Sequence, residues 1–183
     1  MLQWGLGIFL FVYMGYSLVV KFYPGTYGSH QIENYGHGDI TLDMYGWRKA
    51  AAKFDSLYKD DVATNKMPAN ATMATSHWWG AHVEYYFCRP LQIPMIGLGD
   101  VMKLHEYAWM NELRTHSANM QEAFCIVPSD AFYNAKRAYS NYYNQVDSFT
   151  NIQIFRNGEP AHIFYIYHLS GWKGNLPLTL GFE

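Results

Sequence analysis

Positive charge is scarce in this chain and gathers nowhere. Thirteen Lys and Arg stand against fifteen Asp and Glu, a formal net charge of -2 over 183 residues. With no basic stripe to neutralise a phosphate backbone, nucleic acid is not an expected partner. Cysteine is nearly missing, with Cys88 and Cys125 the only two. They permit one intramolecular disulfide at most. Neither sits in a CxxC or zinc-type spacing, so both read as small buried hydrophobes, with their redox state left open by sequence. There is no internal repeat, no low-complexity tract and no Gly/Ser linker beyond the short connection from Pro24 to Gly38. Such a chain has room for one ordinary domain rather than two.

Charge is absent altogether at the start. Met1 to Val20 reads MLQWGLGIFLFVYMGYSLVV, and Lys21 is the first charged side chain. At about 1.5 Å of rise per residue, a helix of that length covers roughly the 30 Å hydrocarbon core of a bilayer. A secretory signal would show a basic n-region and a small-x-small cleavage site, and neither is present around Lys21-Phe22-Tyr23-Pro24. A transmembrane helix over residues 1–23 is therefore expected, followed by a soluble domain over residues 24–183. Trp4 near one end and Tyr16, Phe22 and Tyr23 near the other suit aromatic belts. Sixteen Tyr, eleven Phe and six Trp in all fit a domain whose surface is apolar at one end and wet at the other. Membrane lipid is thus the first expected partner. A span that begins one residue into the reading frame points to a fragment.

In the domain, helical and strand patterns alternate. Thr41-Leu42-Asp43 offers capping oxygens ahead of Trp47, Ala51, Phe54 and Tyr58, whose spacing of four, three and four predicts an amphipathic helix. Residues 72–76 read as a strand. Residues 77–87 read as a helix with Trp78, Ala81, His82 and Tyr85 on one face, stopped by Pro90. A second strand over 93–98 leaves through Gly97 and Gly99, and 104–113 predicts a short helix. Residues 124–127 form an apolar run, after which Ser129 or Asp130 would cap a helix through Ala138. Residues 152–155 and 162–168 predict two strands joined by the turn pair Asn157-Gly158. The expected fold class is α/β: a transmembrane helix, then a layered α/β domain with a mixed sheet that ends in a β-hairpin. Ligands in such sheets gather at strand carboxyl ends, here near Ser76-His77, Gly97 to Asp100 and Pro128 to Asp130.

Chemistry is thinly marked. His77 and His82 lie five residues apart, where two ligands on one helical face prefer three or four, and Glu84 points elsewhere. No metal and no cofactor is expected. His105-Glu106 are adjacent on a helix and point apart, which suits surface or capping roles. There is no Gly-x-Ser-x-Gly, and Ser76 lacks an orienting acid. Gly97-Leu98-Gly99-Asp100 lacks the third glycine of a dinucleotide loop. Trp78 is expected in the core, and Trp79 is left free to meet a sugar ring or lipid headgroups. The candidate substrate contacts are therefore Trp79, His77 and Asp100, with no catalytic residue nominated.

Four stretches carry a resemblance: Asp39-Ile40-Thr41-Leu42-Asp43-Met44-Tyr45-Gly46-Trp47, Ala74-Thr75-Ser76-His77-Trp78-Trp79, His105-Glu106-Tyr107-Ala108-Trp109 and Ile154-Phe155-Arg156-Asn157-Gly158. Together they resemble the carboxy-terminal region of bacterial membrane glycosyltransferases related to dolichyl-phosphate-mannose protein mannosyltransferases and the lipid A aminoarabinose transferase. The resemblance implies a last transmembrane helix plus an extracytoplasmic α/β domain. It also implies a polyprenyl-phosphate-linked sugar donor and a lipid, glycan or protein acceptor. The family's catalytic acid lies in an early extracytoplasmic loop with no counterpart here, so the chain is expected to be inactive alone and to partner an upstream multi-span portion. Asp39 and Asp43 match the soluble domain's motif, with turn formation and helix capping as their expected roles. The implied location is the bacterial inner membrane with the domain in the periplasm, although Lys21 by itself would favour the cytoplasmic side. The alternative is a single-span, membrane-anchored module that binds glycan or peptide. A third possibility is a subunit docked through a helix in which Gly5 and Gly7 permit close approach.

Overall fold

A computed structural model describes residues 2–114 and 118–175. The first helix, α1 (Leu2–Phe22), contains a stretch, Trp4–Phe22, that is long and apolar enough to cross a membrane. None of that stretch is buried against the rest of the chain. The remainder is a mixed α/β body. Its elements are α2 (Trp47–Ala63), β1 (Ala71–Thr75), α3 (Gly80–Val83), α4 (Arg89–Leu91), β2 (Met95–Gly97), α5 (Val101–Leu104), α6 (Tyr107–Arg114), β3 (Asn119–Pro128), α7 (Ala135–Tyr139), β4 (Tyr143–Arg156) and β5 (Glu159–Trp172). The five strands lie in the order β2-β1-β3-β5-β4. β1 pairs in parallel with β2 and β3, and β5 is antiparallel to both β3 and β4. The expected mixed sheet with its terminal hairpin is thus present.

Period-two alternation splits the core across the sheet. Phe124 and Ile126 of β3 join Trp47, Phe54, Tyr58 and Phe87 beneath α2 and the 80–91 helical stretch. Cys125 and Val127 face the other side, where Tyr139 of α7 packs with Ala74, Ile96 and Leu169. Cys88 belongs to the first core and Cys125 to the second, so the sheet separates them, and both are buried free thiols.

Several elements depart from the sequence expectations for identifiable reasons. α2 begins after Gly46, whose φ of 89° needs glycine and whose added Cβ would meet Ile154 at 3.1 Å. No side chain caps it. Thr41 and Asp39 are drawn into a buried ion pair, and Asp43 contributes its carbonyl to Trp47 Nε1 at 2.8 Å. The helix expected from residue 77 starts only at Gly80, because residues 76–79 form a turn, so helical phase does not apply to the tryptophans. Trp79 is 6% exposed and Trp78 52%, the reverse of the expectation. Pro90 does not stop the helix either. A π-helical turn, Glu84–Cys88, precedes it. That wider turn moves the backbone away from the carbonyl the proline ring would strike. The 104–113 helix is broken into α5 and α6 at His105, where φ is 51°. Ser129 and Asp130 do not cap α7. Asn134 does, accepting from Arg137 N at 2.9 Å. Ser129 Oγ instead donates to Tyr35 O at 2.6 Å, and Asp130 holds His162 at 2.8 Å.

At the hairpin tip, Asn157 and Gly158 have φ of 50° and 89°, as a two-residue primed turn requires. Asn157 Nδ2 donates to Lys21 O and Tyr23 O at 2.8 and 3.2 Å, covering backbone carbonyls at the end of α1. Beside it, Arg156 is buried. Its Nη2 lies 3.0 Å from Asp39 Oδ2, Nη1 donates to Thr41 Oγ1 at 2.7 Å, and Nε donates to Gly25 O at 2.6 Å. Thr26 Oγ1 donates to the same Asp39 oxygen at 2.8 Å. The rings of Tyr23 and Tyr45 lie 5.6 and 5.5 Å from the guanidinium.

Arg156→Ala should cost about 3–5 kcal/mol, because it leaves Asp39 charged and buried, and urea denaturation in detergent micelles measures it. Burial pushes the Asp39 pKa up, but hydrogen bonds from Thr41 and Thr26 and the Arg156 guanidinium outweigh it and hold the carboxyl below its ordinary range. The carboxylate therefore stabilises the fold above that range, and the contribution is lost as pH falls through the depressed value. Asp39→Asn should flatten the acid limb of the stability profile. Burial also raises both thiols far above their ordinary value. Maleimide should therefore label neither cysteine until the chain is unfolded.

Candidate functional site

Register fixes which end of the sheet meets α1. Pro128, the last residue of β3, pairs with Phe164, so residues 159–163 of β5 run on past it. At about 3.3 Å per residue that overhang is on the order of 16 Å. β1 and β2 are parallel to β3, so Thr75, Gly97 and Pro128 all end at the rim from which the hairpin tip projects to grip α1. The carboxyl-end rim and α1 therefore share one end of the domain.

The rim has a switch point. From β1 the chain crosses to β2 on one side, whereas β3 leads to the hairpin on the other, so the strand order reverses at the β1/β3 boundary, the position at which open sheets favour ligands. His77 sits there. Its ring stacks on Trp79 with centroids 4.4 Å apart and planes at 8°, and approaches Tyr133, from the loop after β3, at 4.6 Å. Ser76 Oγ lies 2.8 Å from His77 Nδ1. Ser76 also interacts with the hydroxyls of Tyr133 and Tyr139, which are 3.2 Å apart, and Tyr139 Oη donates to Ala74 O at 3.5 Å. Burial raises the pKa of both phenols, so they remain neutral hydrogen-bonding groups.

The three candidate contacts take different parts. His77 is half-buried at the switch point. Trp79 lies beneath it as a buried support, so it is not the open stacking face that sequence left available. Asp100 is exposed on the neighbouring loop and caps α5, its Oδ1 accepting from Met102 N at 3.0 Å. Gly99, just before it, passes so close that an added Cβ would come within 3.3 Å of Ser76 Cβ. Sequence reasoning missed Tyr133 and Tyr139. Their one signal was aromatic spacing around α7, which reads equally well as core. It also missed Lys103, whose charge reaches His77 from α5.

Burial first, and Lys103 second, lower the pKa of His77. The ring is therefore neutral near pH 7, and no carboxylate among the described residues hydrogen-bonds to it or to Ser76. This is a hydrogen-bonding platform, not a nucleophile-base-acid relay. His82 is engaged elsewhere, with Nε2 at 2.9 Å from Met44 Sδ and its ring stacked on Trp47. Among the described residues no three His, Cys, Asp or Glu side chains gather closely enough to hold a metal ion. Around the same rim, Ile40, Met44, Trp78 and Phe155 are large apolar side chains exposed to solvent. Met44 touches His82 and Trp78 packs edge-on to the same ring, while Tyr45 Oη donates to the backbone carbonyl of Phe155.

Comparison with protein-family models, with curated proteins and with solved structures finds no match.

His77 should titrate below the ordinary value of about 6.5 in histidine-labelled NMR, and Lys103→Ala should move the midpoint upward. Between the ordinary and lowered values the unfolded chain takes up the proton first. This group therefore subtracts stability as pH falls through that window.

Proposed function

We propose that this chain is the outer α/β domain, with its membrane anchor, of a glycosyltransferase that draws on a polyprenyl-phosphate-linked sugar. In this reading it lies on the extracytoplasmic side of a bacterial inner membrane. The observation that supports it best is the common placement of rim and anchor. The parallel strands open their carboxyl ends toward the end of the domain gripped onto α1, which is where a lipid-borne substrate would present its headgroup. Exposed Ile40, Met44, Trp78 and Phe155 beside that rim suit the interfacial layer, where apolar and aromatic side chains replace water favourably.

In such an enzyme the domain roofs a membrane-embedded centre and helps to confine the acceptor. Neutral His77, held by Ser76 and packed between Trp79 and Tyr133, can donate or accept a hydrogen bond at a sugar hydroxyl or phosphate oxygen without adding charge. Chemistry itself would come from the multi-span portion, where the resemblance puts the family's catalytic acid.

The reading is tested in nanodiscs that carry the full chain and a polyprenyl phosphate with a photoreactive group near its head. Labelled peptides should come from residues 76–79 and 98–103 and not from the opposite rim at residues 66–70 and 92–94. Labelling of the opposite rim, or of α1 alone, would remove the basis for the proposal. In the same discs, the chain supplied with a radiolabelled polyprenyl-phosphate sugar should transfer none of it.

A further inference from the structure

A groove of about 470 Å³ lies between α2 and the π-helical turn, on the outer surface of the helical layer. That volume falls in the range of small-molecule sites. The π turn shapes it. Phe87 points inward to Trp47 and Phe54, while Tyr85 and Tyr86 line the groove with rings 4.9 Å apart and 89° between their planes. Their perpendicular rings form an aromatic corner. π turns recur at functional sites because the extra residue re-aims side chains at a cost in helix geometry.

Two guanidiniums also line the groove. Arg48 comes from the first turn of α2, and Arg89 follows the π turn, with its Cζ 5.6 Å from the Tyr85 ring. Neither forms an ion pair or a side-chain hydrogen bond among the described residues. The carboxylate beside Arg89, Glu84, already holds Arg114 at 2.8 Å and the Tyr107 hydroxyl at 2.9 Å. Asp55, on the α2 wall, is paired with Lys59 at 2.8 Å. The groove therefore combines flat aromatic faces, an excess of positive charge in bidentate-capable form and one carboxylate able to accept from a hydroxyl.

From this combination we propose that the groove binds a saccharide carrying an anionic group, either a carboxylate or a phosphate. The sugar ring packs into the Tyr85–Tyr86 corner, Arg48 and Arg89 take the anion, and Asp55 accepts from a ring hydroxyl. Arginine suits this role because its planar fork matches carboxylate and phosphate oxygens. The inference does not depend on the transferase reading, since none of His77, Trp78, Trp79 and Asp100 lines the groove and its probes are water-soluble sugars without a polyprenyl chain.

The test uses ligand-observed NMR on the full chain in nanodiscs with three probes: digalacturonate, glucose 6-phosphate and neutral glucose. At least one anionic sugar should bind and glucose should not, and whichever anionic probe binds more tightly distinguishes uronate from phosphate. Arg48→Ala and Arg89→Ala, both at exposed positions, should each weaken that binding about tenfold or more. Lys136→Ala, on α7 across the sheet, should leave it unchanged. Circular dichroism confirms that each variant is folded. The proposal is overturned if glucose binds as well as the anionic sugars, if inorganic phosphate alone reproduces the binding, if no probe binds, or if the arginine variants bind like the parent.

Discussion

The buried pair between Asp39 and Arg156 is the constraint on which the remaining geometry depends. Its side chains are 0% and 1% exposed, a position where desolvation of each ion costs several kcal/mol. Such a pair persists only when its remaining polar atoms are satisfied. Here every guanidinium nitrogen has an oxygen partner, and the carboxylate takes Thr26, Thr41 and Arg156 together. The requirement is non-local, because the two residues are 117 positions apart. Closing it brings the exit of α1, the approach to α2 and the hairpin tip to one point. Gly25 shows how tightly: at φ 63° it lies where an added Cβ would come 2.7 Å from Pro160 O.

One consequence is orientation. Arg156 is the last residue of β4, so the tip of the longest hairpin in the sheet is what the ion pair holds against α1. Because β5 overhangs β3 at that tip, the carboxyl ends of the parallel strands open toward the same end. Had α1 been tied to the opposite rim, the switch point would face away from it. A single buried pair thus converts strand register into a statement about which end of the sheet meets α1.

Much of this was legible and some was not. The helix at Trp47, the first strand, the Asn157-Gly158 turn and the parallel-then-hairpin order follow from hydrophobic period and turn chemistry. β4 is legible only near its end, at 152–155, because residues 143–151 are largely polar and dilute the pattern, and β5 only over its middle, at 162–168. The tryptophan assignment reversed because a turn was given a helix's phase. Pro90 misled because a π turn absorbs it, a device without a clear sequence signature. Arg156 was readable in part. Ile152, Ile154 and Arg156 alternate with exposed Gln153 and Phe155, so period two alone points the arginine inward. Its charge hid it, because an inward arginine makes sense only once Asp39 is known to be there.

The domain's two polar centres near the anchor differ in a way that separates structure from binding. At Arg156 each nitrogen has a protein partner and the surrounding atoms are sealed from water, so nothing further can be recruited and the centre acts as a clasp. At His77 only Nδ1 is engaged, the ring is neutral, and its stacking partners fix its plane without covering it. A half-buried imidazole so held loses little further freedom when it meets a ligand, and ordering of flexible groups is a main cost of binding. Saturation marks the first centre as a fixture of the fold, whereas the second is a rigid group with hydrogen-bonding capacity to spare, the property on which the proposed function rests.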